Sequence, residues 1–473
     1  MIINLKELNI EQAHRDLSSG VYTVSQLVNA YIEIIKEKNE FLNAYLEIFS
    51  DIEDQVKIAQ EKFKNKTATL LTGIPIAIKD NILIKGHIAS ASSKILEKYI
   101  ASYDSTVIRI LREDGAVFLG RTNMDEFAMG SSTETSAYGV TRNPIDSSLV
   151  PGGSSGGSAS ALGADMALIS LGTETCGSVR EPAAFCNLVG LKPTYGAVSR
   201  HGIIAMGNSL DQVSPFGKNV RDVEIVFNTL SKYDEEDNTS ILENERVPRM
   251  KNENKKKIGI PWHLFENGVE ESIIKNFKES VEKLKNIGYE IYDIDLPYSK
   301  YSLAVYYIIM PAEVSTNLSR YDGIRYGTRK EGENIWESFK KSRSYGFGIE
   351  ARRRIILGTY VLSHGYYDAY YNKAWKIRRA IIKEINDAFN QVGFIMTPTV
   401  PVLPFKLGEK MNDPLAMYLC DLFSAPANLT GTPSIAIPSG KNEKGLPFSV
   451  QFTAPHFSEK NLFEIGKEFE KLN

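Results

Sequence analysis

The residues best suited to chemistry lie between Pro151 and Ser178, in the run PGGSSGGSASALGADMALISLGTETCGS. A glycine–serine loop opens it, small and apolar residues follow, and a second loop closes it at Ser178. Glycine lets a backbone approach a ligand closely and adopt positive φ. Two such loops joined by so short an element predict a small cavity lined by backbone N–H groups and serine hydroxyls, which suits a developing oxyanion. A flexible linker would be polar on both sides, whereas Ala159, Leu162, Met166, Leu168 and Ile169 read as buried. A phosphate-cradling loop needs Lys and then Ser or Thr after its last glycine. Here Ser158 and Ala159 follow Gly157, so nucleotide binding is not expected. The other candidate is Lys79, which ends the apolar run GIPIAIK. On those residues alone it reads as a strand-end lysine with a buried stem and an amine that snorkels to water.

Composition narrows the function classes. The chain has 473 residues, 42% of them hydrophobic and 24% charged, which is ordinary for a globular protein. A net charge of -3 gives no global attraction to nucleic acid or membrane, so an RNA partner needs a local patch or a second protein. Three cysteines and six scattered histidines make neither a disulfide framework nor a metal site. With no apolar run of spanning length and no leader pattern at the start, a reduced cytoplasmic setting is expected.

The elements that must position these residues follow from periodicity. Residues 1–65 read as an N-terminal helical segment packed on the core. Thr23 with Gln26 makes a capping box, Leu27, Tyr31 and Ile34 share a helical face, Leu42, Tyr45 and Leu46 suggest a second helix, and Ile52 to Phe63 a third. Residues 66–473 complete one compact unit. Apolar strands are expected at residues 74–79 and 116–120, a strand–helix–strand unit from Ile258 through YEIYDIDL, an aromatic-rich helical region over 301–390, and a last strand–helix pair before Asn473. The polar run from Thr122 to Asn143 is too long for a plain turn and reads as functional. Residues 234–257 are strongly charged and read as a solvated excursion. The expectation is a single large α/β domain with a mixed, central β-sheet covered by helices on both faces.

Longer motifs carry a resemblance. GGSSGGSA, GTETCGSVREPAAFC and GLKPTYGAVSR resemble the amidase signature family across its defining region. NMDEFAMGSSTETSAYG, SRYDGIRYG, RRIILGTYVLS and DPLAMYLCDLFSAPANLTGTPSIAIP resemble its branch of glutaminase subunits in aspartyl/glutamyl-tRNA amidotransferases. The likeness runs from about residue 20 to the C-terminus. It places Lys79, Ser154 and Ser178 where that family's lysine, cis-serine and nucleophilic serine stand, which reverses the reading of Lys79. A lysine serves as a base only if burial lowers its pKa, and a hydroxyl attacks only once such a base takes its proton. The resemblance implies glutamine hydrolysis through a Ser178 acyl-enzyme. Thr175, Cys176, Gly177 and Ser178 would form the oxyanion hole, Arg354 and Asp421 would hold the α-carboxylate and α-ammonium, and Ser131 would support the lysine. It implies no cofactor in this chain, with ATP and Mg²⁺ acting at a partner, and the family's B and C subunits as the partners through which charged tRNA is met. Departures stand at Glu174, Cys176 and Glu181, where most relatives carry Asp, Gly and Gln. A positive φ at Cys176 would cost about 1 kcal/mol; Cys176 reads as a packed small residue, with no histidine placed to activate it. A free-standing amidase and a catalytically weakened scaffold stay open as rival readings.

Overall fold

The capping box forms at the first long helix. Thr23 N–H donates to Gln26 Oε1 at 2.8 Å and Gln26 N–H to Thr23 Oγ1 at 3.2 Å. The structure, a computed structural model, describes residues 3–265 and 268–473. The chain runs through α1 (Ile10–Ser19), α2 (Val24–Leu42), β1 (Tyr45–Ile48), α3 (Ile52–Lys64), β2 (Pro75–Lys79), α4 (Thr106–Asp114) and β3 (Val117–Thr122). Then come α5 (Gly156–Gly163), β4 (Ile169–Glu174), α6 (Arg180–Phe185), β5 (Val189–Lys192), β6 (Gln212–Gly217) and α7 (Val220–Leu230). A strand–helix–strand unit of β7 (Lys257–Ile260), α8 (Glu271–Asn286) and β8 (Glu290–Asp293) precedes α9 (Ser302–Asn317), α10 (Ile335–Gly346), α11 (Ile349–Val361) and α12 (Lys373–Ala388). The chain ends with β9 (Phe394–Pro398), α13 (Pro414–Tyr418), α14 (Ala425–Thr430), β10 (Ser434–Lys441), β11 (Pro447–Thr453) and α15 (Glu459–Glu470).

Among the described residues, 11 strands join one sheet in the order β1-β3-β2-β4-β6-β5-β10-β11-β9-β7-β8. It is mixed. Beyond β1, which pairs antiparallel with β3 at one edge, parallel pairs on one side (β3, β2, β4) and on the other (β9, β7, β8) flank antiparallel pairing in the middle. Helices flank the sheet, and one apolar cluster runs from Leu5 to Phe469, including Leu27, Tyr31, Ile76, Val117, Leu168, Phe394 and Phe452. No helix among the described residues is long and apolar enough to cross a membrane.

One expectation is corrected here. Residues 42–46 are not a second helix, so the 1–65 segment is not wholly helical. Asn43 adopts a left-handed φ of 50° and ends α2 at Leu42, and Tyr45–Ile48 pairs antiparallel with β3 as an edge of the sheet. The apolar spacing of Leu42, Tyr45 and Leu46 arises because the chain changes element between them. Tyr45 is buried, its hydroxyl donating to the Met166 carbonyl at 3.0 Å.

Candidate active site

Three neighbouring strand ends and two loops make the site. Lys79 is the last residue of β2, between β3 and β4, and all three strands are buried along their length. Its stem therefore has no route to water, and the amine is 0% exposed. Nζ lies 2.9 Å from Ser154 Oγ, 2.7 Å from Ser155 Oγ and 3.1 Å from the Thr173 carbonyl. Burial brings its pKa down to about 7, although Asp125, Asp211 and Glu174 pull the other way. A neutral amine offers two N–H donors and one lone pair. The Thr173 carbonyl can only accept, and the Ser155 hydroxyl donates to that same carbonyl at 3.1 Å, so both accept a hydrogen bond from Nζ. The lone pair is left facing the hydroxyl of Ser154.

Ser154 follows a cis Gly153–Ser154 peptide bond, directly before α5. Its carbonyl accepts from Asp125 N–H at 3.1 Å. Asp125 also organises the long loop: its carboxylate accepts from the N–H groups of Ser132, Thr133 and Thr135 and from the Thr135 hydroxyl. A Cβ at Gly153 would collide with Asp125 and with the Ser131–Ser132 backbone, which explains glycine there.

The second loop is braced from below. Glu174, the last residue of β4, is fully buried and accepts from Val179 and Arg180 N–H at 3.1 Å. It also pairs with the Arg180 guanidinium, from Nε at 2.9 Å and Nη2 at 2.5 Å. Burial alone would raise this carboxyl, but Arg180 holds it below the ordinary range. Arg180 reaches on to Gln451 Oε1, Asn428 Oδ1 and the Ser424 carbonyl, so α6 is tied to α14 and β11. Positive φ falls at Gly177 (73°) and not at Cys176, so cysteine carries no backbone cost there. Cys176 belongs to the buried apolar cluster that also holds Met206, Met310 and Leu429, and burial pushes its thiol well above the ordinary value. Among the described residues, the N–H groups of Cys176, Gly177 and Ser178 make no hydrogen bond. They are free to meet an oxyanion.

The structure makes one of the two links in the expected relay. Lys79 and Ser154 are in contact. Ser178 is 3% exposed, and its carbonyl accepts from Ser155 N–H at 3.2 Å, but no hydrogen bond joins its hydroxyl to Ser154 among the described residues. Such bonds are often long before substrate tightens them. Ser131 does not support the lysine. Its amine meets Ser154, Ser155 and the Thr173 carbonyl instead, and Ser131 lines a cavity of about 360 Å³ with Ser132, Glu350, Arg354, Lys410 and Tyr418.

Arg354, on α11, is buried. Nε donates to Glu350 Oε1 at 2.8 Å, the guanidinium lies 5.4 Å from the Tyr307 and Tyr418 ring centres, and Nη2 makes no hydrogen bond among the described residues. Asp421 is buried and is not one of the residues lining that cavity. Its Oδ2 accepts from Tyr307 at 2.8 Å, its Oδ1 has no partner, and burial lifts its pKa to about 7. Tyr307 stacks on Tyr418 at 4.0 Å, joining cavity and nucleophile loop. Sequence reasoning missed Ser155, Asp125, Arg180 and Tyr307. The adjacent charges of Arg180 and Glu181, just before the apolar run PAAFC, were the available signal for one of them. The others depend on contacts between segments far apart in the chain.

Comparison with known proteins agrees with this geometry. The family model described as Amidase matches residues 26–463. The A subunit of glutamyl-tRNA(Gln) amidotransferase from Thermoanaerobacter pseudethanolicus is 46% identical over 100% of this chain and 97% of its own length. The protein of the same name from Pelagibacter ubique is 49% identical over 85% of this chain and 83% of its own. The crystal structure of its Thermotoga maritima counterpart superposes with a TM-score of 0.82 at 38% identity, covering 100% of this chain and 96% of the other. A buried lysine on a serine hydroxyl, a glycine-turned nucleophile loop and this match along most of its length together establish that the chain belongs to the amidase family.

Proposed function

We propose that this chain hydrolyses glutamine to glutamate and ammonia as the glutaminase component of a glutamyl-tRNA(Gln) amidotransferase, as the full-length likeness to relatives of that name suggests. Neutral Lys79 takes the Ser154 proton as Ser154 takes that of Ser178. Ser178 Oγ then bonds to the amide carbon, and N–H groups of the Thr175–Ser178 loop meet the oxyanion. The proton returns through Ser154 to the departing nitrogen, ammonia leaves, and water releases glutamate from the acyl-enzyme by the reverse route. Arg354 Nη2 takes the α-carboxylate, for which a guanidinium fork is suited, and Asp421 Oδ1 takes the α-ammonium. Ammonia passes to a partner subunit, where ATP and Mg²⁺ act and charged tRNA is amidated, the B and C subunits being the partners; aspartyl-tRNA(Asn) is a second acceptor to test.

The observation that carries this reading is Lys79, buried, held near neutrality and 2.9 Å from Ser154 Oγ. The chain should be purified alone and with its partners, supplied with glutamine, and followed for glutamate and ammonia. Activity that rises with partner and charged tRNA, and that Ser178→Ala abolishes, supports the proposal. Turnover of simple amides by the lone chain would replace it with a free-standing amidase, and no turnover in any form would leave a scaffold.

A further inference from the structure

Glu181 is the departure that the proposed chemistry leaves unused. It lies on α6, three residues after Ser178, and its N–H donates to the Gly177 carbonyl at 2.8 Å. The residue is 1% exposed, and neither carboxyl oxygen has a hydrogen-bond partner. A buried carboxylate with no partner is strongly disfavoured, so without a cation beside it this group holds its proton. Asp421 repeats the pattern. Its Oδ1 is also unpartnered, and a Cβ on Gly177 would sit 2.7 Å from it. Three carboxyl oxygens without a partner thus belong to two residues that meet one glycine of the nucleophile loop, Glu181 through its backbone N–H and Asp421 through Oδ1.

The charged and titratable groups facing Glu181 come from each neighbouring segment. Asp421 and Cys420 lie before α14, Asp125 in the long loop, Lys410 before α13 and Glu174 on β4, the last neutralised by Arg180. Acids outnumber cations there. Burial first, and then Asp421, push the Glu181 carboxyl well above its ordinary range, while burial brings Asp421 to about 7.

We propose that Glu181 and Asp421 form a proton-exchanging acid pair that receives the α-ammonium of the substrate and sheds a proton as it enters. The balance is simple: the protonated pair and the ammonium give an ion-paired carboxylate and one proton to solvent. Glu181 is then a specificity residue, because an amide without an α-ammonium leaves the pair protonated and its oxygens unspent. The proposal rests on the glutamine reading above.

The test uses the complex carrying Ser178→Ala, titrated with glutamine by calorimetry at pH 7 in two buffers of different ionisation enthalpy. The expected release is about half to one proton per glutamine. It falls by at least half in Glu181→Gln, persists in Glu181→Asp, and is absent with 4-carbamoylbutanoate, which is glutamine without its amino group. In the active complex, KM for glutamine climbs toward about tenfold per pH unit below pH 7, and Glu181→Gln moves that climb to lower pH. Equal release from Glu181→Gln, or release with 4-carbamoylbutanoate, overturns the proposal alone. Absence of any glutamine binding overturns the glutaminase reading and this proposal with it. Should Glu181→Gln misfold, loss of release in a folded Glu181→Asp chain is equally fatal.

Discussion

Replacing Lys79 by Met removes the amine and keeps most of the volume. An ordinary lysine loses its charge near 10.5, whereas Lys79 does so near about 7, because burial outweighs the pull of Asp125, Asp211 and Glu174. Between those values the unfolded chain holds a proton that the native chain lacks, so this group makes stability rise with pH. The gap, at about 1.4 kcal/mol per pH unit, amounts to about 5 kcal/mol. That penalty is fully present below pH 7 and fades as pH approaches 10.5. Urea unfolding at pH 7, 8 and 9 should therefore give the native chain a stability slope steeper than that of Lys79→Met by about 1.4 kcal/mol per pH unit. Lys192, also buried with its pKa brought to about 7, contributes equally to both chains and cancels. Glutamine hydrolysis should rise with pH through a limb near pH 7 in the native complex, and kcat should fall by about 10²–10⁴ in the variant. Parallel stability slopes would mean that the amine keeps its charge in the fold, and the base assigned to the mechanism would be lost.

Other outcomes follow from single contacts. Arg180→Leu strands the Glu174 carboxylate and should cost about 3–5 kcal/mol by denaturant midpoint, with glutaminase activity lost alongside. Ser155→Ala removes a 2.7 Å contact of Lys79 and should shift the acid limb of the rate profile, whereas Ser131→Ala should change glutamine KM and leave the limb in place. Gly177→Ala forces a side chain into positive φ and against Asp421 Oδ1, at about 1–3 kcal/mol of strain. Glutamine affinity and turnover should drop together, and an unchanged KM would argue that Asp421 does not bind substrate.

Much of the architecture was legible because burial writes itself as periodicity. The strand ending at Lys79, the capping box at Thr23 and the parallel unit of β7, α8 and β8 are local patterns, and the structure contains each of them. Residues 42–46 misled because a left-handed Asn43 switches the chain from helix to strand without disturbing the apolar spacing.

By itself the sequence determined which residue types were available for chemistry: a lysine closing an apolar strand, serines beside glycines, and no phosphate loop. Only the tertiary structure decided which of them act together. Whether Lys79 reaches water depends on β3 and β4 lying on either side of it, and the choice of Ser155 over Ser131 as its neighbour depends on how the Gly153 turn meets the long loop. Likewise Glu181 and Asp421 are 240 residues apart in the chain and share one glycine in space. Pattern along a chain records what each residue prefers locally. Charge burial, and hence acidity, is set by neighbours from distant segments that no local pattern encodes.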